Sequence, residues 1–496
     1  MHGFGDGQAE GRQFVVLGAG PAGLSAAFEL TRLGQRPLVL EKRDKVGGLA
    51  RTEQYHGFSF DMGGHRFFSK SPVVNALWRE ILGQDFLHRP RLSRIFYRHR
   101  FFHYPLKLGN ALWNLGPLEA LLIVLSYARW RLFPYPREDT FEEWVTNRFG
   151  RRLFETFFKT YTEKVWGISC RELKAEWAAQ RIRNLSLPTA LLSMVVKPGG
   201  TVTSLIEAFD YPRRGPGMMW QALQARIEQA GGVIRLNADV QQIFTRGGRI
   251  SGVLVADNGQ ETLIEGTDFI SSMPLSEFVR KLNAAPPEVV AAAGQLKYRD
   301  FLLVGLIVAE PNLFPDNWIY MHDPSVRVGR IQNFGNWSPD MVPEPGMSSL
   351  GLEYFCNEGD ALWNTPDAEL IELAKRELEQ SGLVRQADVV DGCVFRVEKS
   401  YPVYDSRYRD CLAQVRAFVD SLPNFQPIGR NGLHRYNNQD HAMLTGLAAA
   451  RNLALGERND LWRINADPEY HEEAPGQGAG DKPAGTINGN AARAGG

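Results

Sequence analysis

Three glycines and one acid carry the clearest chemistry in this chain: Gly18, Gly20 and Gly23, spaced as Gly-x-Gly-x-x-Gly, and then Glu41. Gly18 permits a tight turn, Gly20 lets backbone N–H groups approach a pyrophosphate, and Gly23 allows close helix packing. Glu41, about twenty residues on, is placed to accept hydrogen bonds from an adenosine ribose, and an acid there argues against a 2′-phosphate. The elements needed to hold these groups come in the right order. Phe14–Leu17 reads as a strand, Leu24–Leu33 as a helix whose N-terminus adds positive potential, and Pro37–Leu40 as a second strand ending at Glu41. The pattern predicts a dinucleotide site.

The rest of the composition bounds the answer. A chain of 496 residues with 44% hydrophobic content allows two or three domains and a sizeable core. With 56 basic and 56 acidic residues it is not a general nucleic-acid binder, so any basic site must be local. Cys170, Cys356, Cys393 and Cys411 are scattered without a C-x-x-C pair. That fits buried, inert thiols in a cytoplasmic protein rather than disulfides or a metal site, and no metal is expected. Met1 to Arg12 is polar and glycine-rich, which argues against a secretory signal. The apolar stretch Leu118–Leu125 runs into Tyr127–Phe133, which carries two arginines. It falls short of the roughly 20 mostly apolar residues a bilayer span needs. Residues 118–133 therefore read as a buried helix, or as an interfacial helix with snorkelling arginines that makes a peripheral membrane contact.

Organisation is interleaved. The β-α-β start is followed by a hairpin-like stretch, Leu92–Leu106, turning at Arg98-His99, and then by a mostly helical region. Strands resume after Gly231-Gly232, at Val233–Leu236, Val240–Phe244 and Ile250–Val255. The expected division is a discontinuous cofactor domain (12–104, 196–274 and 385–455), a helical domain (105–195) and a substrate sheet (275–384). The tails 1–11 and 471–496 read as disordered.

Val46-Gly47-Gly48-Leu49-Ala50-Arg51-Thr52 resembles the second glycine motif of the flavin amine oxidase superfamily, and Phe60–His65 resembles the stretch that follows it. This resemblance implies FAD, with Gly48 and Arg51 against its diphosphate and Gly64 and His65 close to the isoalloxazine. It implies a Rossmann-like FAD-binding domain of α/β class, interleaved with a helical domain and an α+β, sheet-based substrate region.

Four further blocks resemble UDP-galactopyranose mutase, in order: Gly63–Phe68, Tyr161–Gly167 followed by Glu172-Leu173, Ser400–Asp405, and Gly429–Tyr436. The resemblance implies a nucleotide-sugar pyranose/furanose mutase in which N5 of reduced flavin is the nucleophile. It assigns the nucleotide base to Tyr161 and Trp166, the diphosphate to Arg330, and the sugar phosphate to Tyr401 and Tyr436. Catalysis would rest on His65 and Arg330. Gly429 and Arg430 would turn the chain into a last helix whose start, near Asn438, faces the flavin and favours its anionic reduced form. Partners implied are a small-molecule substrate and NAD(P)H or another reductant. Arg181 and Arg183 fall near the family's mobile-loop arginines.

The chain departs from the mutase pattern at His434 and Asn438. Its Tyr211-Pro212-Arg213-Arg214-Gly215 segment resembles a block of protoporphyrinogen oxidases and carotenoid-type desaturases. The alternative is therefore an FAD-dependent oxidoreductase acting on an apolar or amine substrate. A third reading is a flavin-binding protein without turnover.

Overall fold

A computed structural model describes residues 11–104, 108–175, 208–257 and 259–465. Arg181 and Arg183 lie outside the described residues, as do both expected disordered tails apart from Gly11.

The first strand forms at Phe14–Leu17 because four consecutive apolar residues can be buried from both sides. It is central in a five-stranded parallel sheet ordered Phe425–Pro427, Asp268–Ser271, Phe14–Leu17, Leu38–Leu40, Val233–Arg235. Between the first two strands runs the helix Pro21–Arg32, opened by a proline at its first turn and buried from Ala22 to Leu30. The helix Gln439–Leu455 packs against it. This is the dinucleotide-binding architecture that the glycine spacing predicts, on a mixed α/β fold. A three-stranded antiparallel sheet, Ala238–Arg246, Arg249–Asp257 and Gln260–Glu265, follows the Val233–Arg235 strand in sequence.

The second large sheet has seven strands, ordered Val389–Pro402, Tyr298–Val308, Ser348–Cys356, Arg330–Asn333, Trp318–Met321, Ser93–Tyr97, Arg100–His103. Arg98 and His99 turn the Ser93–His103 hairpin with positive φ at both positions, as expected. The sequence reading groups this hairpin and the Val389–Pro402 strand with the cofactor region. Here both pair into the seven-stranded sheet, the hairpin through a parallel ladder to Trp318–Met321 and the long strand along Tyr298–Val308. Local alternation marks a strand but carries no information about its partner, and long-range pairing decided both cases.

Two other expectations change. Within the helix Pro117–Leu132 only Ile123 is buried, so the buried-helix reading of 118–133 fails. Cys170, Cys356 and Cys393 are buried free thiols, but Cys411 is only half-buried.

Candidate active site

A single cavity joins the two sheets. At one end it is lined by Gly18, Gly20, Glu41, Gly48 and Arg51, and at the other by Arg66, Trp318, Tyr320, Arg330, Trp337 and Tyr401.

The nucleotide end is made by backbone. A Cβ on Gly23 would sit 1.9 Å from the Gly18 carbonyl oxygen, and one on Gly18, whose φ is +101°, would sit 2.3 Å from Ser272 Oγ. Those two glycines are required by the protein itself. Gly20 differs. Its backbone is extended, with φ −80° and ψ −176°, and a Cβ there would make only an ordinary 3.7 Å contact with Gly48 Cα. Its glycine answers to what lies in the cavity beside it, which suits a diphosphate approaching the backbone at the start of the Pro21–Arg32 helix. Glu41 is held at the edge by the N–H of Ala19 to Oε2 (2.8 Å) and the N–H of Arg43 to Oε1 (3.0 Å). A carboxylate has about four lone-pair directions, so two remain for ribose hydroxyls. Arg51 is buried and committed, donating to Glu53 at 2.6 Å and to the Gly48 carbonyl at 3.0 Å.

The middle of the cavity carries the Gly63–His65 loop and the start of the Gln439–Leu455 helix, with Asn438 as its N-cap. His65 lines the wall with Nε2 2.8 Å from the Met62 carbonyl, and burial lowers its pKa to about 4, so at neutral pH it is an uncharged donor to that carbonyl. Gly64 lines the same wall against Trp337. Gly429, with φ +76°, lies where a Cβ would meet the Ala22 side chain at 2.9 Å, which brings the final turn close to the first helix. Arg430 donates to the Asn437 and Ser400 carbonyls and lies over the rings of Tyr436 (4.6 Å) and Tyr401 (5.5 Å).

The substrate end is made by side chains brought together by strand register. Tyr320 pairs with Arg330, and Arg330 with Glu353, on three neighbouring strands. The guanidinium of Arg330 grips the fully buried Glu353 through both Nε (2.8 Å) and Nη2, and Gln332 Nε2 donates to the same carboxylate at 2.6 Å. Burial opposes the charge on Arg330, but Glu353 outweighs it and raises the pKa well above the ordinary value. The arginine expected at the diphosphate is thus half committed: one edge of its fork belongs to Glu353, and only the remaining N–H groups are available to a ligand. Arg66 lies over Trp318 at 5.8 Å, Trp318 stacks on Trp337 at 5.3 Å, and Tyr401 stacks on Tyr436 at 5.7 Å.

Two expected substrate residues stand behind this surface. Trp166 is buried and meets Tyr401 and Tyr436 edge-on at 6.0 and 6.5 Å, and Tyr161 stacks on His322 at 4.7 Å while touching Tyr320 edge-on. Neither lines the cavity; they back the residues that do. Sequence reasoning missed Glu353, Arg66, Trp318, Tyr320 and Trp337 as site residues. Arg66 was legible as the neighbour of His65, and Trp318 with Tyr320 as alternate residues of one strand, but nothing local distinguishes Glu353.

The desaturase-like segment also resolves structurally. Tyr211 is fully buried and donates to Asp61 Oδ2, Thr52 donates to Asp61 Oδ1 at 2.7 Å, and a Cβ on Gly215 would meet Thr52 Oγ1 at 2.4 Å. The segment clamps the Thr52–Asp61 hairpin. Burial raises Asp61 to about 7.

A parallel strand–turn–helix cradle ending in an acid, opening on a sheet that presents cations and aromatic rings, is a two-part site built for a dinucleotide, and membership of a flavin-containing family makes that cofactor FAD. The chain belongs to the flavin-containing amine oxidoreductase family, whose sequence profile matches residues 21–454. It is 28% identical over 268 residues to a protein named as a flavin-containing monoamine oxidase, AofH, of Mycobacterium tuberculosis, covering 50% of this chain and 54% of that one. It is 23% identical over 419 residues to a 15-cis-phytoene desaturase of Capsicum annuum, covering 79% and 65%. In fold it is similar to the crystal structure of reduced UDP-galactopyranose mutase, with a TM-score of 0.81 at 24% identity over 92% of this chain and 98% of that one. The chain thus spans about half the length of the first of these curated relatives.

Proposed function

We propose that this FAD-dependent enzyme is a nucleotide-sugar mutase acting on a pyranose/furanose pair, the chemistry named for the structurally similar UDP-galactopyranose mutase. The observation that carries the reading is the character of the substrate end. Arg66, Arg330 and Arg430 bring three positive charges to the cavity wall that carries Tyr320, Tyr401 and Tyr436, with the buried carboxylate of Glu353 behind Arg330. A protonated amine would be repelled by such a surface and a polyene would leave its polar groups unpaired, whereas a diphosphate-linked sugar suits both cations and phenols.

Bound FAD, held by Gly18, Gly20, Glu41 and Gly48, supplies the reactive isoalloxazine. The chain's own residues orient and shield. Tyr401 and Tyr436 offer phenols that burial and their neighbours keep in a stacked pair, with Tyr401 held neutral. Arg330 offers charge at a position held by its two-point grip on Glu353, and placement of this kind favours the reacting geometry. His65, uncharged at neutral pH, contributes a polar wall without competing for the anion.

The oxidoreductase reading is the competing outcome, and the electron count separates the two. The dithionite-reduced protein, held anaerobically with a panel of UDP-, GDP- and dTDP-hexoses, is expected to isomerise one of them over many turnovers without consuming reductant, while the oxidised protein does not. Stoichiometric bleaching of the oxidised flavin by an amine or apolar substrate, with no sugar turned over, would give the oxidoreductase reading instead.

A further inference from the structure

We infer that the helix Pro117–Leu132 is a docking surface for an anionic lipid bilayer, lying flat on it and bringing the substrate end of the cavity to the membrane. The helix is fixed to the protein by one face only. Ile123 is its buried residue, Glu119 forms a fork with Arg152 at 2.8 and 2.7 Å, and Ser126 Oγ accepts from the Arg152 backbone N–H at 3.1 Å. On the same side Trp130 packs on Tyr135 at 4.6 Å.

The opposite face is apolar and open to solvent. Leu118, Leu121, Leu125 and Leu132 follow one another at intervals of three, four and seven residues, so at about 100° per residue they form one continuous stripe. All four are exposed, from 55% at Leu121 to 73% at Leu132, and Phe133 at the helix end is 68% exposed. The preceding helix, Leu108–Leu115, adds Trp113 at 87%. An apolar stripe of this length is unusual on a protein surface that meets only water.

Charge selects the occupant. On the helical wheel the exposed Arg129 and Arg131 fall on opposite flanks of the stripe, where their stems can lie along it while their guanidinium groups reach outward. That arrangement suits lipid headgroups with negative charge beneath which leucines insert. A second copy of the chain fits less well, because a two-fold interface would bring the same arginines face to face. The helix is too short to cross the bilayer, and no helix among the described residues is long and apolar enough to do so.

Position gives the surface a purpose. The Leu108–Leu115 helix contacts the Arg100–His103 strand at the edge of the seven-stranded sheet. Just beyond that strand, Tyr104, 40% exposed, packs at 4.6 Å on Tyr320, which lines the substrate end. Docking therefore sets the substrate end beside the lipid surface whether the chemistry there is a mutation of sugar ring form or a redox step.

The test uses the FAD-loaded full chain and vesicles of equal parts phosphatidylglycerol and phosphatidylcholine, with phosphatidylcholine alone as the comparison. Wild type is expected to cosediment with the anionic vesicles, less with neutral ones, and less as salt is raised. The double variant Leu121→Asp/Leu125→Asp should lose roughly tenfold or more in partitioning. Both positions are exposed, so flavin content and far-ultraviolet circular dichroism should be unchanged. Arg129→Gln/Arg131→Gln should weaken the anionic preference specifically. Failure of wild type to cosediment, or equal cosedimentation of the aspartate variant, would overturn the inference. So would concentration-dependent self-association that the aspartates abolish in the absence of lipid, which would make the face an interface between copies.

Discussion

The two ends of the cavity are built by opposite means. At the nucleotide end the working parts are backbone groups exposed by missing side chains: Gly18 and Gly23 allow the turn and the packing, and Gly20 keeps a wall clear. At the substrate end they are large side chains from strands far apart in sequence, Tyr320, Arg330, Glu353 and Tyr401, of which Arg330 and Glu353 satisfy one another before any ligand arrives. The first kind of site depends on short-range geometry and tolerates almost no added atom. The second depends on a balance of charge and stacking, and it should respond to mutation in graded fashion.

The sharpest way to break this contrast is at the glycines. Gly23→Val drives a side chain into the Gly18 carbonyl and should abolish soluble, folded protein, as read from expression and circular dichroism. Gly20→Val, at a position with extended backbone and an ordinary contact, should fold with a melting temperature near that of wild type stripped of FAD, and should purify without the cofactor. If Gly20→Val kept its flavin, the cradle would lie elsewhere.

Glu353 comes next. Glu353→Ala leaves Arg330 and Gln332 with unpaired buried donors and should cost about 3–5 kcal/mol of stability by denaturant unfolding. Arg330→Ala leaves a fully buried carboxylate and should cost a similar amount, so a loss of activity in either single variant cannot be assigned to substrate binding. Arg330→Met/Glu353→Met removes both charges at once. It should recover most of the stability while still failing to bind an anionic substrate.

Acid should act on the same region more gently. Burial holds His65 at about 4, His322 at about 3 and His434 at about 4, against about 6.5 in the unfolded chain. Between those values the unfolded chain binds protons that the folded rings refuse. Their contribution is therefore neutral above about pH 6.5 and increasingly destabilising as the pH falls towards 4. Asp61 runs the other way: raised to about 7, it binds a proton in the fold before it does so in the unfolded chain, so it gains stability on acidification throughout that window and offsets part of the histidine loss. The net expectation is a melting temperature that drops from pH 6.5 to pH 4.5, by an amount on the order of a few kcal/mol in stability. Asp61→Asn should steepen the drop. A flat profile would mean that these histidines are hydrated in solution.

The same contrast explains what could be read from sequence. Gly18 to Gly23 with Glu41 was legible because the entire motif lies within one strand–turn–helix–strand unit, where spacing fixes geometry. The Arg98-His99 hairpin turn was legible for the same reason. Glu353 was not, because it becomes a neighbour of Arg330 only when two antiparallel strands take a particular register. Trp166 and Tyr161 came from a motif resemblance, which carries no information about whether an aromatic ring lines a cavity or backs the residues that do; here both stand behind the lining. The exposed stripe on Pro117–Leu132 was visible as apolar sequence, but whether it faces in or out depended on Glu119 and Ser126 engaging Arg152.

One titration bears most directly on the central claim that the substrate end holds an anionic, nucleotide-linked ligand beside the flavin. The FAD-loaded protein is mixed with increasing nucleoside diphosphate sugar while the flavin absorbance spectrum is followed. A saturable perturbation is expected, displaced by the free nucleoside diphosphate and weakened roughly tenfold or more in Arg66→Gln, with FAD content unchanged. A spectrum indifferent to every nucleotide sugar but perturbed by an amine or a polyene would contradict the account and return Arg66 and Arg330 to purely structural roles.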